Sequence, residues 1–162
     1  SAGATRRLYT NGVLHSQFNP KQPVTGSVWD LLMLPAFFTD TQRLRRILVL
    51  GVGGGAVLRQ LRAFVAPDDL IGVDIEKVHL GVARRHFGLT PRVATLVHAD
   101  ARQWLERYDG PPFDMIIDDL FGHVDGEPER AIPMNVAWAR TLLSQLATDG
   151  IRVERGARLH PA

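Results

Sequence analysis

Apolar residues follow two rhythms along this chain. Short, mostly unbroken runs (Ile47 to Leu50, Leu70 to Val73, Val93 to His98, Phe113 to Ile117 and Ile151 to Glu154) alternate with stretches whose apolar positions recur every three or four residues. An apolar run bounded by turn residues reads as a strand covered on both faces. The wider spacing reads as a helix with one apolar stripe. Val57, Leu58, Leu61, Phe64 and Val65 place such a helix from about Ala56 to Val65. Val78, Val82 and Ala83 place a second over Glu76 to Phe87, stopped by Gly88. Trp104 and Leu105 mark a short helix over Arg102 to Arg107, broken by Pro111-Pro112, and residues 133–147 form a further one. Residues 120–132 fit neither rhythm and are predicted as a long polar loop, a length that often carries function. Strand and helix in alternation predict an α/β fold: a Rossmann-like, doubly wound, mostly parallel sheet of about five strands.

The first forty residues differ. Leu8-Tyr9 and Val13-Leu14 flank Asn11-Gly12, a strong hairpin dipeptide. Ser27 is placed to cap a helix through Trp29, Leu32, Met33 and Phe37, restarting near Pro35. The chain therefore divides into an N-terminal hairpin and helix appendage (1–40), packed on the sheet or on a dimer partner, and a Rossmann-like domain (41–162).

Composition narrows the class. The 162 residues are 45% hydrophobic and 22% charged, as in ordinary globular chains, with a net charge of +2. That balance gives no nucleic-acid signal, and Arg43, Arg45 and Arg46 read as a solvated lead-in to the first strand. No apolar run is long enough to span a membrane, and the first residues lack the apolar core of a secretory signal. The absence of cysteine removes disulfides and thiolate metal sites, so a cytoplasmic location is expected. The six histidines show no metal-ligand spacing, and no metal is expected; His123, in the predicted loop, is a candidate to meet substrate.

In a parallel sheet, ligands bind outside the carboxyl ends of the strands. Gly51, Gly53, Gly54 and Gly55 follow the first main strand and open a helix, a cradle for a nucleotide. Gly51-x-Gly53-x-x-Ala56 also satisfies the dinucleotide fingerprint, so the cradle alone does not say which nucleotide. Asp74 ends the second strand, where a carboxylate can accept from ribose hydroxyls of NAD or S-adenosylmethionine alike. Asp100 ends the third, within reach of an adenine amino group, and Asp118 and Asp119 end the fourth, facing the reacting group.

Together these motifs resemble the spermidine synthase family of polyamine aminopropyltransferases, especially its spermidine synthase-like members, which share the class I S-adenosylmethionine-dependent methyltransferase fold. Gly51 to Gln60 is similar to the family's glycine run and the V-L-R-E that follows. Asp74-Ile75-Glu76, Asp100-Ala101-Arg102 and Phe113 to Asp119 resemble its three acidic segments, and Leu8 to His15 its opening hairpin. The resemblance implies a transferase with Asp119 as catalytic carboxylate. It implies that Gly51, Gly53, Gly54, Gly55, Asp74, Ile75, Asp100, Ala101 and Asp118 bind S-adenosylmethionine or its decarboxylated form. A methyl or aminopropyl group would pass to a small amine acceptor, in a homodimer.

The chain departs from the pattern in ways that separate three readings. Gly54 stands where the family carries an Asp for the aminopropyl amine, His15 replaces a Gln, and Gly122 falls near the family's second catalytic-loop Asp. The polyamine-binding Tyr-His-Glu cluster has no counterpart in Val24 to Leu34, and the family's closing strand pair has none after the fifth strand. The readings are a spermidine synthase-like transferase with an unidentified acceptor, a genuine spermidine synthase, and a non-catalytic binding module that retains the fold.

Overall fold

The computed structural model describes residues 4–10, 12–124 and 127–155. It opens on an antiparallel hairpin, β1 (Arg6–Thr10) and β2 (Val13–Phe18). Two short helices follow, α1 (Val28–Leu32) and α2 (Leu34–Phe37). Strands and helices then alternate: β3 (Arg46–Leu50), α3 (Ala56–Phe64), β4 (Asp69–Asp74), α4 (Lys77–His86), β5 (Thr95–His98), α5 (Ala101–Glu106) and β6 (Phe113–Asp118). The small hairpin β7 (Phe121–Val124) and β8 (Glu127–Arg130) precedes α6 (Val136–Ser144) and β9 (Leu146–Glu154). Five strands form one parallel sheet in the order β5-β4-β3-β6-β9, the doubly wound arrangement that the apolar runs predict.

Two predicted boundaries are corrected. Residues 121–124 and 127–130 are not loop: β7 and β8 pair antiparallel, Phe121 opposite Arg130. Backbone pairing holds this hairpin, and its sequence lacks the period-two alternation that announces a strand. The last strand begins at Leu146, five residues before Ile151, because Leu146 already pairs with Phe113 and a register irregularity carries the polar Thr148-Asp149-Gly150.

Alternate residues of the central strand face opposite cores. Ile47 and Val49 pack with Leu58, Leu61, Leu80 and Met115 on one face. Leu48 and Leu50 pack with Leu105, Phe113, Trp138 and Leu142 on the other. Trp29, Leu32 and Ala36 lie in the first of these cores, so the appendage shares the domain's interior. Its outer side stays apolar: Leu31, Phe37 and Phe38 are exposed, Phe37 lying beside the exposed Phe64 of α3.

Polar groups fix the appendage. Asp30 accepts from the Thr25, Gly26 and Ser27 N–H groups and from the Thr25 hydroxyl, and Gln60 donates to it from α3. Those donors hold its pKa below the ordinary 3.8, against the opposing effect of burial, which is the largest single contribution. Arg59 does the same for the hairpin. Its guanidinium donates to the carbonyls of Gln17 (2.8 Å), Phe87 (2.9 Å) and Gly54 (3.0 Å), and lies 4.4 Å from the Phe18 ring centre. Arg43 and Arg45 pair with Asp149 and Asp68 on the surface, whereas Arg46 pairs with Asp69 and is partly buried, donating to the Tyr108 hydroxyl and lying over the Phe113 ring. Among the described residues no helix is long and apolar enough to cross a membrane.

Candidate active site

The sheet order brings the sequence-predicted groups to one edge. Gly51 follows β3 and donates to the Val73 carbonyl of β4, while Asp119 donates its N–H to Leu50, so the glycine turn is gripped by both neighbouring strands. Gly51 has φ +85°, and a Cβ there would collide with the Asp119 carbonyl oxygen. Gly54 is held differently. A Cβ on it would run into the Ser16 side chain and the Phe87 ring, so β2 and α4 fill the space beside it. Ser16 is buried, and its hydroxyl has no hydrogen-bond partner.

Asp74 turns inward. Its Oδ2 accepts from the Val52 (2.8 Å) and Gly53 (3.0 Å) N–H groups, and Oδ1 accepts from Glu76 N–H (2.8 Å). This carboxylate ties the end of β4 to the glycine turn. The next residue, Ile75, is 60% exposed, an apolar side chain standing in the crevice mouth. Asp100 caps α5, accepting the Gln103 N–H through Oδ1 at 2.9 Å, and Ala101 is buried behind it. A cleft of about 410 Å³ runs from Ala99 and Asp100 along α5 to Tyr108 and Asp109.

The two acids that end β6 part company. Asp118 is fully buried under α6. Its Oδ2 accepts from Trp138 Nε1 (2.8 Å) and Arg130 Nη2 (2.6 Å), and its Oδ1 from Leu120 N–H (3.3 Å). It therefore anchors the wall behind the site, and a direct cofactor contact does not follow from this placement. Asp119 follows β6 with its backbone against the Gly51 turn, and its side chain is 10% exposed. Arg155 Nη1 lies 2.9 Å from its Oδ1 without hydrogen-bond geometry, so that oxygen is charge-paired yet has no hydrogen-bond donor. Burial pushes the Asp119 carboxyl up to about 7; Arg155 and Arg130 oppose the rise, and Asp118 and Asp74 add to it.

Sequence reasoning missed Arg130, Arg155, Phe121 and Trp138. Arg130 lies in the segment predicted as loop and Arg155 follows the last strand, so no motif marked either. The two guanidiniums lie 5.7 and 4.0 Å from the Phe121 ring centre. Asn11 and the side chains of His15, Gly122 and His123 lie outside the described residues.

A family model described as a methyltransferase domain matches residues 47–140, from the first strand of the sheet into α6. The chain belongs to this methyltransferase-domain family. Among curated proteins, this methyltransferase-domain chain is similar to polyamine aminopropyltransferase 2 of Caldanaerobacter subterraneus subsp. tengcongensis, 34% identical over 106 residues. That match covers 64% of this chain and 35% of the relative, so the chain spans about a third of the length of the curated relative it matches. A solved structure of a probable spermidine synthase from Corynebacterium glutamicum superposes with TM-score 0.76 at 21% identity, over 94% of this chain and 56% of that one. Human methyltransferase-like protein 13 in complex with SAH superposes with TM-score 0.61 at 18% identity, over 78% and 61%. These likenesses bear out the resemblance to the spermidine synthases and the class I methyltransferase fold.

The residues present fit an adenosyl cofactor. The turn at Gly51, Gly53 and Gly55 runs in the left-handed region; Gly51 and Gly53 are half-buried, while Gly55 packs against Leu89. Ile75 offers an apolar face, and Asp100 an acceptor at the strand end.

Proposed function

We propose that this chain is the cofactor-binding unit of an S-adenosylmethionine-dependent transferase of the spermidine synthase-like kind. Asp119 is its proton acceptor. The observation that carries this reading is the Asp119 carboxylate itself: buried at the strand-end crevice, beside the glycine turn, with Oδ1 lacking a hydrogen-bond donor and its carboxyl raised to about 7. A group poised near neutrality is matched to taking a proton from an attacking nucleophile. When bound, the cofactor supplies electrophilic carbons next to its sulfonium. The chain's own work is to seat it against Gly51 to Gly55, Ile75, Asp100 and Ala101, to exclude water, and to receive the acceptor's proton at Asp119.

The surroundings of Gly54 favour the carboxylated cofactor. No acid stands there for an aminopropyl amine, and Ser16 and Phe87 fill the space one would need. Aminopropyl transfer is the second reading, favoured by the polyamine aminopropyltransferase relatives. Calorimetric titration with S-adenosylmethionine and its decarboxylated form decides between them. Tighter binding of the ordinary form is expected. Tighter binding of the decarboxylated form supports the second reading, and binding of neither refutes both. Turnover should fall on Asp119→Asn, with loss of the pH dependence near 7.

A further inference from the structure

The two carboxylates that end β6 each meet a cation from their own chain. Arg130 Nη2 lies 2.6 Å from Asp118, and Arg155 Nη1 lies 2.9 Å from Asp119. The Phe121 ring contacts both guanidiniums, at 5.7 and 4.0 Å from its centre. Arg130 is fixed further by donating to the carbonyls of Ile132 (3.2 Å) and Arg155 (3.0 Å). The wall is thus delivered by the end of β8 and the residue after β9.

With all four groups ionised, its charge sums to zero. The nearby Asp74 is already engaged by three backbone N–H groups. An aliphatic diamine or polyamine is a multiple cation near neutral pH and needs carboxylates that no other cation holds. Here an incoming ammonium would bring a second positive charge beside Arg155. A neutral group meets no such obstacle. Arg155 covers Asp119 Oδ1, which is buried without a hydrogen-bond donor, so a neutral O–H or N–H reaches this carboxylate with no charge conflict whereas an ammonium does not.

We propose that Arg155, supported by Arg130, is the specificity-determining residue of the acceptor site: it holds the place of a cationic amine at Asp119, so the acceptor is an uncharged nucleophile bearing an O–H or N–H and not an aliphatic polyamine. This rests on the transferase reading above and narrows it to a substrate class, away from the polyamine named for the relatives.

Titration of the full chain with 1,4-diaminobutane, with and without SAH, tests the proposal. The expected result is no diamine binding by the wild type, a gain in affinity of about tenfold or more in Arg155→Gln, and loss of that gain when Asp119→Asn is added. Arg155→Lys, which keeps a cation, should exclude the diamine like the wild type. Diamine binding by the wild type or by Arg155→Lys at the level of Arg155→Gln overturns the proposal. So does a folded Arg155→Gln that gains nothing, or a gain that survives Asp119→Asn. Should Arg155→Gln fail to fold, Arg155→Met takes its place in the comparison, and measurable diamine binding by the wild type still overturns the proposal. Failure of the wild type to bind SAH refutes the transferase reading separately and leaves the diamine comparison legible.

Discussion

Replacing Asp119 by Asn should weaken the site's chemistry and strengthen the fold. The carboxyl titrates at about 7 in the folded chain against an ordinary 3.8. A raised acid pKa means that between these values the folded state holds a proton that the unfolded state has released. Stability therefore falls as pH rises from about 4 to about 7 and is flat above. The full gap is worth roughly 4 kcal/mol at about 1.36 kcal/mol per pH unit. Asparagine never ionises, so the variant escapes this cost at pH 8. The Arg155 attraction is already contained in that gap, because it opposes the rise. A gain of up to about 4 kcal/mol follows at pH 8, a rise of roughly 8–16 °C in Tm for a domain of this size. At pH 4 the gain should vanish. Thermal and urea unfolding of both proteins at pH 4, 6 and 8 measures this. An Asp119→Asn protein no more stable than the wild type at pH 8, or equally stabilised at pH 4 and pH 8, would refute the argument that burial governs this carboxyl.

Three further outcomes are expected. Arg59→Met removes three hydrogen bonds to carbonyls and should cost about 2–4 kcal/mol, with hydrogen exchange rising first in residues 13–18; uniform exchange across the chain would contradict the pinning role. Gly54→Asp should destabilise by about 1–3 kcal/mol without improving binding of the decarboxylated cofactor, because the new side chain meets Ser16 and Phe87; Ser16→Gly should recover part of that loss in a double-mutant cycle. Asp30→Asn should flatten acid unfolding. A lowered carboxyl pKa gives stability that is present above 3.8 and lost as pH falls below it, so wild type and variant should converge in acid and diverge at neutral pH.

The fold and half of the site were legible because parallel strands deposit their carboxyl ends on one edge. Once Ile47 to Leu50 and Phe113 to Ile117 read as strands, the glycine turn, Asp74, Asp100 and Asp119 had to be neighbours. The direction in which each acid points was not legible. Asp74 folds back onto the Val52 and Gly53 amides, a choice set by distances between two strand ends that no spacing along the chain records. Asp118 and Asp119 are adjacent, so their side chains leave opposite faces of the strand, and only one meets the crevice. Arg130 and Arg155 were hidden for a different reason. Neither sits in a periodic apolar pattern, and what brings them together is the hairpin register of Phe121 with Arg130 and the parallel register of Asp118 with Glu154.

That last register has a kinetic consequence. No two strands of the main sheet pair through a tight turn: Arg46 partners Asp69, Ile47 partners Met115, and Met115 partners Ile151. Each pairing closes a long loop before it gains a ladder, which makes assembly slow. The Asp119–Arg155 pair needs β9 in place, because Arg155 directly follows that strand. The ion pair at the crevice is consequently a late contact. It does not guide the last strand in but acts as a latch once that strand has arrived, and a latch formed after the barrier slows opening more than it speeds closing.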